Sequence, residues 1–119
     1  MIEDYVRNAR LVRVIDGDTV EIDIDLGFRL WLRQRLRILG VDCPERIGPT
    51  AEAGLKARLF TGDWFARRPG EFQVRTTLDR TDSFGRVLAE VFSGDNSLGA
   101  DLLAAGHAVK RGVMQCSLS

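Results

Sequence analysis

Apolar and polar positions alternate along the first third of the chain. Ala9 to Ile15 (ARLVRVI) and Thr19 to Ile24 (TVEIDI) each have the two-residue period of a strand, the second with Val20, Ile22 and Ile24 on one face. Asp16-Gly17-Asp18 between them is a hairpin signal. Asp25 to Phe28 turns again, with Gly27 available for positive φ, and Arg29 to Val41 returns as a third strand. Leu30, Leu32 and Leu36 are expected to face inward and Arg33, Arg35 and Arg37 outward. A bulge is required if Ile38 and Leu39 both bury, and Gly40 suits a bulge or a close backbone approach. Pro44 cannot donate to a ladder and biases Cys43 to an extended conformation. The strand therefore stops there, leaving Asp42 and Glu45 at its end.

The period then changes. Gly48-Pro49-Thr50 starts a helix with Glu52 in its first turn, where the helix dipole favours a negative charge. Ala53, Ala57, Phe60 and Trp64 form its expected apolar stripe, and the helix ends near Arg67-Arg68 before Pro69-Gly70. Gly54 and Gly62 weaken it by roughly 1 kcal/mol each relative to alanine. Glu71 to Leu78 and Arg86 to Phe92 read as a fourth and a fifth strand, joined by a turn over Asp79 to Gly85. Asn96 or Ser97 caps a second helix running to about Ala105, with Leu98, Leu102, Leu103 and Ala105 inward and Gly106 as a left-handed stop. Ala108 to Lys110 adds a short extended piece. The expected architecture is mainly β with α (α+β), a five-stranded OB-type barrel with two helices, forming a single domain over residues 1–119 with a core at about 9–112.

Composition changes this picture only at a few points. A chain of 119 residues and 13.3 kDa suffices for one core, and no window has the length or purity of a membrane span. The acidic start Met1-Ile2-Glu3-Asp4-Tyr5 lacks the apolar stretch of a secretory signal. An intracellular location is therefore expected, although a processed secreted form would look the same, and the chain is expected to be a monomer. Cys43 and Cys116 form no CxxC and are read as free thiols. The net charge is zero, but charges are segregated: Asp16, Asp18, Glu21, Asp23 and Asp25 precede Arg29, Arg33, Arg35 and Arg37. Lys56 and Lys110 are the lysines among 17 cations, so 15 are arginine, whose planar fork suits bidentate phosphate contact.

Three pieces carry candidate chemistry: Asp18 in a hairpin turn, Asp42 and Glu45 at a strand end, and Arg86 after Gly85. Two carboxylates with backbone carbonyls make a hard oxygen site for Ca²⁺ or Mg²⁺, and no His/Cys cluster suits zinc. A third carboxylate can position or deprotonate water, and Arg37 and Arg86 can hold a phosphate. The combination describes metal-assisted phosphodiester hydrolysis.

Ile15-Asp16-Gly17-Asp18-Thr19, Arg37 with Val41-Asp42-Cys43-Pro44-Glu45, and Asp82-Ser83-Phe84-Gly85-Arg86 stand in one order over Arg10 to Gly112. Together they resemble the three motifs of the staphylococcal (micrococcal) nuclease, or thermonuclease, family. The resemblance implies an OB-fold, Ca²⁺-dependent nuclease acting on DNA and/or RNA. It implies Asp18, Asp42 and the backbone carbonyl of Cys43 as metal ligands, and Glu45 as the residue holding or deprotonating water. It implies Arg37 and Arg86 at the scissile phosphate, while base contact, with the family's flanking tyrosines lacking, falls to Phe84 or Trp31. The chain departs from the family where Cys43 replaces a threonine and Ser83-Phe84 a lysine and a tyrosine. The base-flanking tyrosines of the best-known member also have no counterpart.

Plainer readings compete. Asp16 is best read as a turn former, His107 as structural or solvated, and Trp31, Trp64 and the phenylalanines as core or rim. Glu45 and Arg37 in isolation would make a surface ion pair worth under about 1 kcal/mol. The rival at the level of the whole chain is a catalytically silent OB-fold module binding nucleic acid or protein, for example as a subunit of a phage assembly.

Overall fold

The computed structural model of the chain describes residues 4–77 and 87–111. Strands β1 (Asp4–Asp16), β2 (Thr19–Gly27) and β3 (Leu30–Ile38) form an antiparallel meander. A two-residue segment, β4 (Val41–Asp42), comes next, then a 3₁₀ turn at Gly48–Thr50 that leads directly into helix α1 (Ala51–Ala66). Strands β5 (Phe72–Thr77), β6 (Val87–Ser93) and β7 (Asn96–Ser97) precede helix α2 (Leu98–Ala104) and a last short strand, β8 (Val109–Lys110).

β5 pairs antiparallel with β1 and with β6, and β6 pairs parallel with β3 through Leu36–Val87, Arg37–Leu88 and Ile38–Ala89. That last ladder closes β3-β2-β1-β5-β6 into the expected five-stranded barrel. Register shifts near Val12 and Ile15 are bulges in β1. They supply the curvature that closure of so few strands requires. Ala9, Val20, Ile22, Leu36, Phe72 and Val91 fill the interior, while Trp64 and Phe65 of α1 and Leu98 and Leu102 of α2 join the same core. Trp64 Nε1 donates to Asp101 of α2 at 2.8 Å, satisfying the indole where the two helices meet.

Several expectations change in the structure. Leu30 and Leu32 are exposed, 60% and 42%, because the β2–β3 hairpin runs past the barrel, and only the inner end of β3 reaches the core. Arg37 is buried rather than outward-facing. No bulge admits Leu39; the strand breaks at Leu39-Gly40, where Gly40 has φ 85°, and restarts as β4. The stripe of α1 keeps the expected Ala57 and Trp64, with Phe60 half-buried against the core, and adds Gly54, Thr61 and Phe65, while Ala53 is exposed. In α2, Ala105 lies at the exposed end while Ser97 caps, its Oγ accepting from the Ala100 N–H at 3.3 Å.

The two glycines of α1 differ in what surrounds them. A Cβ at Gly54 would lie 2.4 Å from the carbonyl oxygen of Glu45 and 2.7 Å from the Arg46 nitrogen, both backbone atoms with nowhere to go. A Cβ at Gly62 would meet nothing within 4 Å. Gly54→Ala is therefore expected to destabilise the protein by about 1–3 kcal/mol through overpacking. Gly62→Ala is expected to stabilise it by up to about 1 kcal/mol through helix propensity. Urea unfolding midpoints of the two variants should move in opposite directions.

Candidate active site

The first motif is held from two sides. Gly17 lies so close to α1 that a Cβ there would come within 2.8 Å of both Ala57 Cβ and Cys43 Sγ. Thr61 Oγ1 donates to the Gly17 carbonyl at 2.6 Å inside the core. On the other side, the Ile38 N–H donates to the Asp18 carbonyl at 2.9 Å, and Thr19 pairs with Arg37 in the β2–β3 ladder. The hairpin turn and the end of β3 are thereby locked together, which brings Asp18 beside Arg37.

Arg37 gathers the surrounding groups. Its side chain is 6% exposed. Nη1 donates to the carbonyls of Ile38 (3.0 Å) and Val41 (2.7 Å), while Nη2 reaches Asp18 Oδ2 at 3.3 Å and makes a short contact with Asp42 Oδ1. The Cys43 N–H donates to Asp18 Oδ2 at 2.8 Å. Thr19 Oγ1 donates to the other carboxylate oxygen, Oδ1, at 3.2 Å. Both carboxylates thus converge on one nitrogen, and Arg37 does not form the surface pair with Glu45 considered from the sequence.

These groups line a cleft of about 480 Å³ together with Asp16, Pro44, Glu45 and Arg111. Glu45 is exposed at its edge, its backbone pinned by Thr50 Oγ1 on the Glu45 carbonyl (2.9 Å) and by the close approach of Gly54. Asp16 is more than a turn former, since it pairs with Arg46 at 2.6 Å on the cleft wall. Burial pushes the Cys43 thiol up to about 12, with the Asp18 carboxylate adding and the Arg37 cation opposing. Among the described residues no three His, Cys, Asp or Glu side chains gather as a metal cluster.

The structure brings Asp18, Arg37, Asp42, Cys43 and Glu45 to one cleft. Phe84 and Arg86, with the rest of the third motif, lie outside the described residues. Arg111, which sequence reasoning passed over, contacts Asp42 at 3.3 Å. Its place comes from β8 pairing with β4 (Val41–Lys110, Asp42–Val109) and from the Arg111 N–H donating to the Gly40 carbonyl at 3.0 Å. No local pattern signals a contact across 69 residues of chain.

A closed five-stranded barrel with two helices defines an OB-fold protein, and its cleft is lined by carboxylates and arginines. Residues 35–116 match the family described as staphylococcal nuclease homologue. Two thermonucleases are similar over most of the chain. That of Staphylococcus intermedius is 37% identical over 101 residues, covering 81% of this chain and 55% of the relative. That of Staphylococcus hyicus is 35% identical over 104 residues, covering 83% and 56%. The chain belongs to the staphylococcal nuclease family, and it spans a little over half the length of each of these relatives.

Removing Arg37 would strand two buried carbonyls and leave Asp18 beside Asp42 with no cation between them. Arg37→Met is expected to destabilise the fold by about 3–5 kcal/mol, the scale of breaking a buried pair. Denaturant unfolding measures this, and a loss below about 1 kcal/mol would mean that the guanidinium is not a structural tie.

Proposed function

We propose that the protein is a calcium-dependent nuclease that hydrolyses phosphodiester bonds of DNA and/or RNA by attack of water. The observation that carries this reading is the convergence of Asp18 and Asp42 on the same Arg37 nitrogen, with Glu45 on the rim of the same cleft. Family membership and the two thermonuclease relatives support it.

The donor set fits a hard divalent cation. Asp18 and Asp42 bring carboxylate oxygens into the same cleft, hard donors that backbone carbonyls and water would complete. Asp18, Asp42 and the Cys43 carbonyl would hold the ion. When bound, it would polarise a phosphoryl oxygen and offset charge building up there.

The chain's own residues supply the rest. Glu45, solvent-accessible but fixed at the backbone, accepts a proton from water directed at phosphorus. Arg37, held rigidly by two carbonyls and two carboxylates, offers fixed positive charge and needs no rearrangement as the phosphate becomes more negative. Arg86 is assigned the second guanidinium from its motif.

Glu45 is the cleaner test of catalysis because, unlike Arg37, it is exposed. Glu45→Gln is expected to lower cleavage of single-stranded DNA by on the order of 10²-fold or more, with the unfolding midpoint unchanged. Millimolar calcium should raise the melting temperature of the wild type but not of Asp42→Asn, and excess chelator should abolish cleavage. Wild-type rates from Glu45→Gln, or full activity in chelator, would overturn the assignment.

A further inference from the structure

We propose that Arg111 binds a phosphate of the nucleic-acid strand in this cleft, exchanging its contact with Asp42 for a non-bridging phosphate oxygen. The proposal rests on the hydrolase reading above and adds a substrate-binding residue to it.

The donor inventory points to this residue. A guanidinium has five N–H donors. In Arg37 both Nη1 donors go to the Ile38 and Val41 carbonyls, and Nη2 serves Asp18 and Asp42. Among the described residues only Nε–H is left, so Arg37 supplies charge but little capacity for a two-pronged grip. Arg46 is engaged with Asp16 at 2.6 Å. Arg111 differs in each respect. Its side chain is 52% exposed, and its contact with Asp42 Oδ1 is 3.3 Å long, shared with the shorter Arg37 bond to the same oxygen. An exposed pair of this kind is weak and readily exchanged. Its backbone is not loose, because the β4–β8 ladder and the N–H bond to Gly40 hold it against the cleft wall.

The charge balance favours the same exchange. Asp16, Asp18, Asp42 and Glu45 line the cleft, and the chain has no net charge to draw in a polyanion. Among the described residues Arg111 is the half-exposed cation lining that cleft with donors largely uncommitted, and its planar fork matches two phosphate oxygens.

The test compares the wild-type protein with Arg111→Gln and Arg111→Lys in calcium buffer. Affinity for a phosphorothioate-protected single-stranded DNA is measured across salt concentrations, beside kcat and KM on the unprotected strand. Arg111→Gln should bind about 10-fold more weakly and raise KM by a similar factor, with kcat within about twofold. Its log Kd against log salt slope should shrink by about 0.7, the loss of one phosphate contact to a single strand. Arg111→Lys should keep the slope and lose part of the affinity, since an ammonium lacks the fork. If Arg111→Gln does not fold, the lysine variant decides alone: unchanged affinity overturns the proposal. Equal affinity and slope for wild type and Arg111→Gln also overturn it, as does a fall in kcat at constant KM and slope, which would mean action through Asp42 only. A wild type that binds the strand without cutting it would reject the hydrolase reading while leaving the Arg111 comparison valid.

Discussion

One buried cation ties the molecule together. Arg37 lies at the end of β3 where three pieces of chain meet: the Asp16–Asp18 turn, the break at Leu39-Gly40, and β4. Burying a guanidinium costs several kcal/mol unless its donors are matched. Here two main-chain carbonyls and two carboxylates match them. The same bonds fix where Asp18 and Asp42 stand. Stability and site geometry are therefore one interaction, and a substitution at Arg37 cannot separate them.

Helix α1 is the second constraint. Its inward face carries glycine and threonine where a core helix would ordinarily carry larger apolar groups. At Gly54 the absent side chain lets the helix rest on the Glu45–Arg46 backbone, and opposite Ala57 the absence of one at Gly17 lets the first turn approach. The local cost of glycine in a helix, about 1 kcal/mol, is set against contact between the helix and both acidic motifs. Glu45 is thus presented by a backbone that cannot drift although its side chain meets solvent.

Much of this is legible in the sequence because it is local. The turn at Asp16-Gly17-Asp18, the stop at Pro44, the Ser97 cap and the left-handed Gly106 each come from one or two residues and their backbone preferences. The expectations that fail are longer in range. Leu30 and Leu32 alternate as core residues should, but the hairpin outruns the barrel, and alternation cannot say where a sheet stops being covered. The expected α1 stripe holds at Ala57 and Trp64 but misses Gly54 and Thr61, which carry no hydrophobic signal though they are required by close approach and by a buried hydrogen bond.

Short-range sterics and side-chain inventory are enough to read the order of strands and helices, the turn chemistry, and the residue types available for phosphate and cation chemistry. Long-range folding alone buries Arg37, places Asp18 and Asp42 on one of its nitrogens, and brings Arg111 to the same cleft. Those facts depend on closure of β3 against β6 and on the pairing of β4 with β8. Pairings between distant segments arise from how a whole sheet curls and packs, and no window of neighbouring residues contains that information.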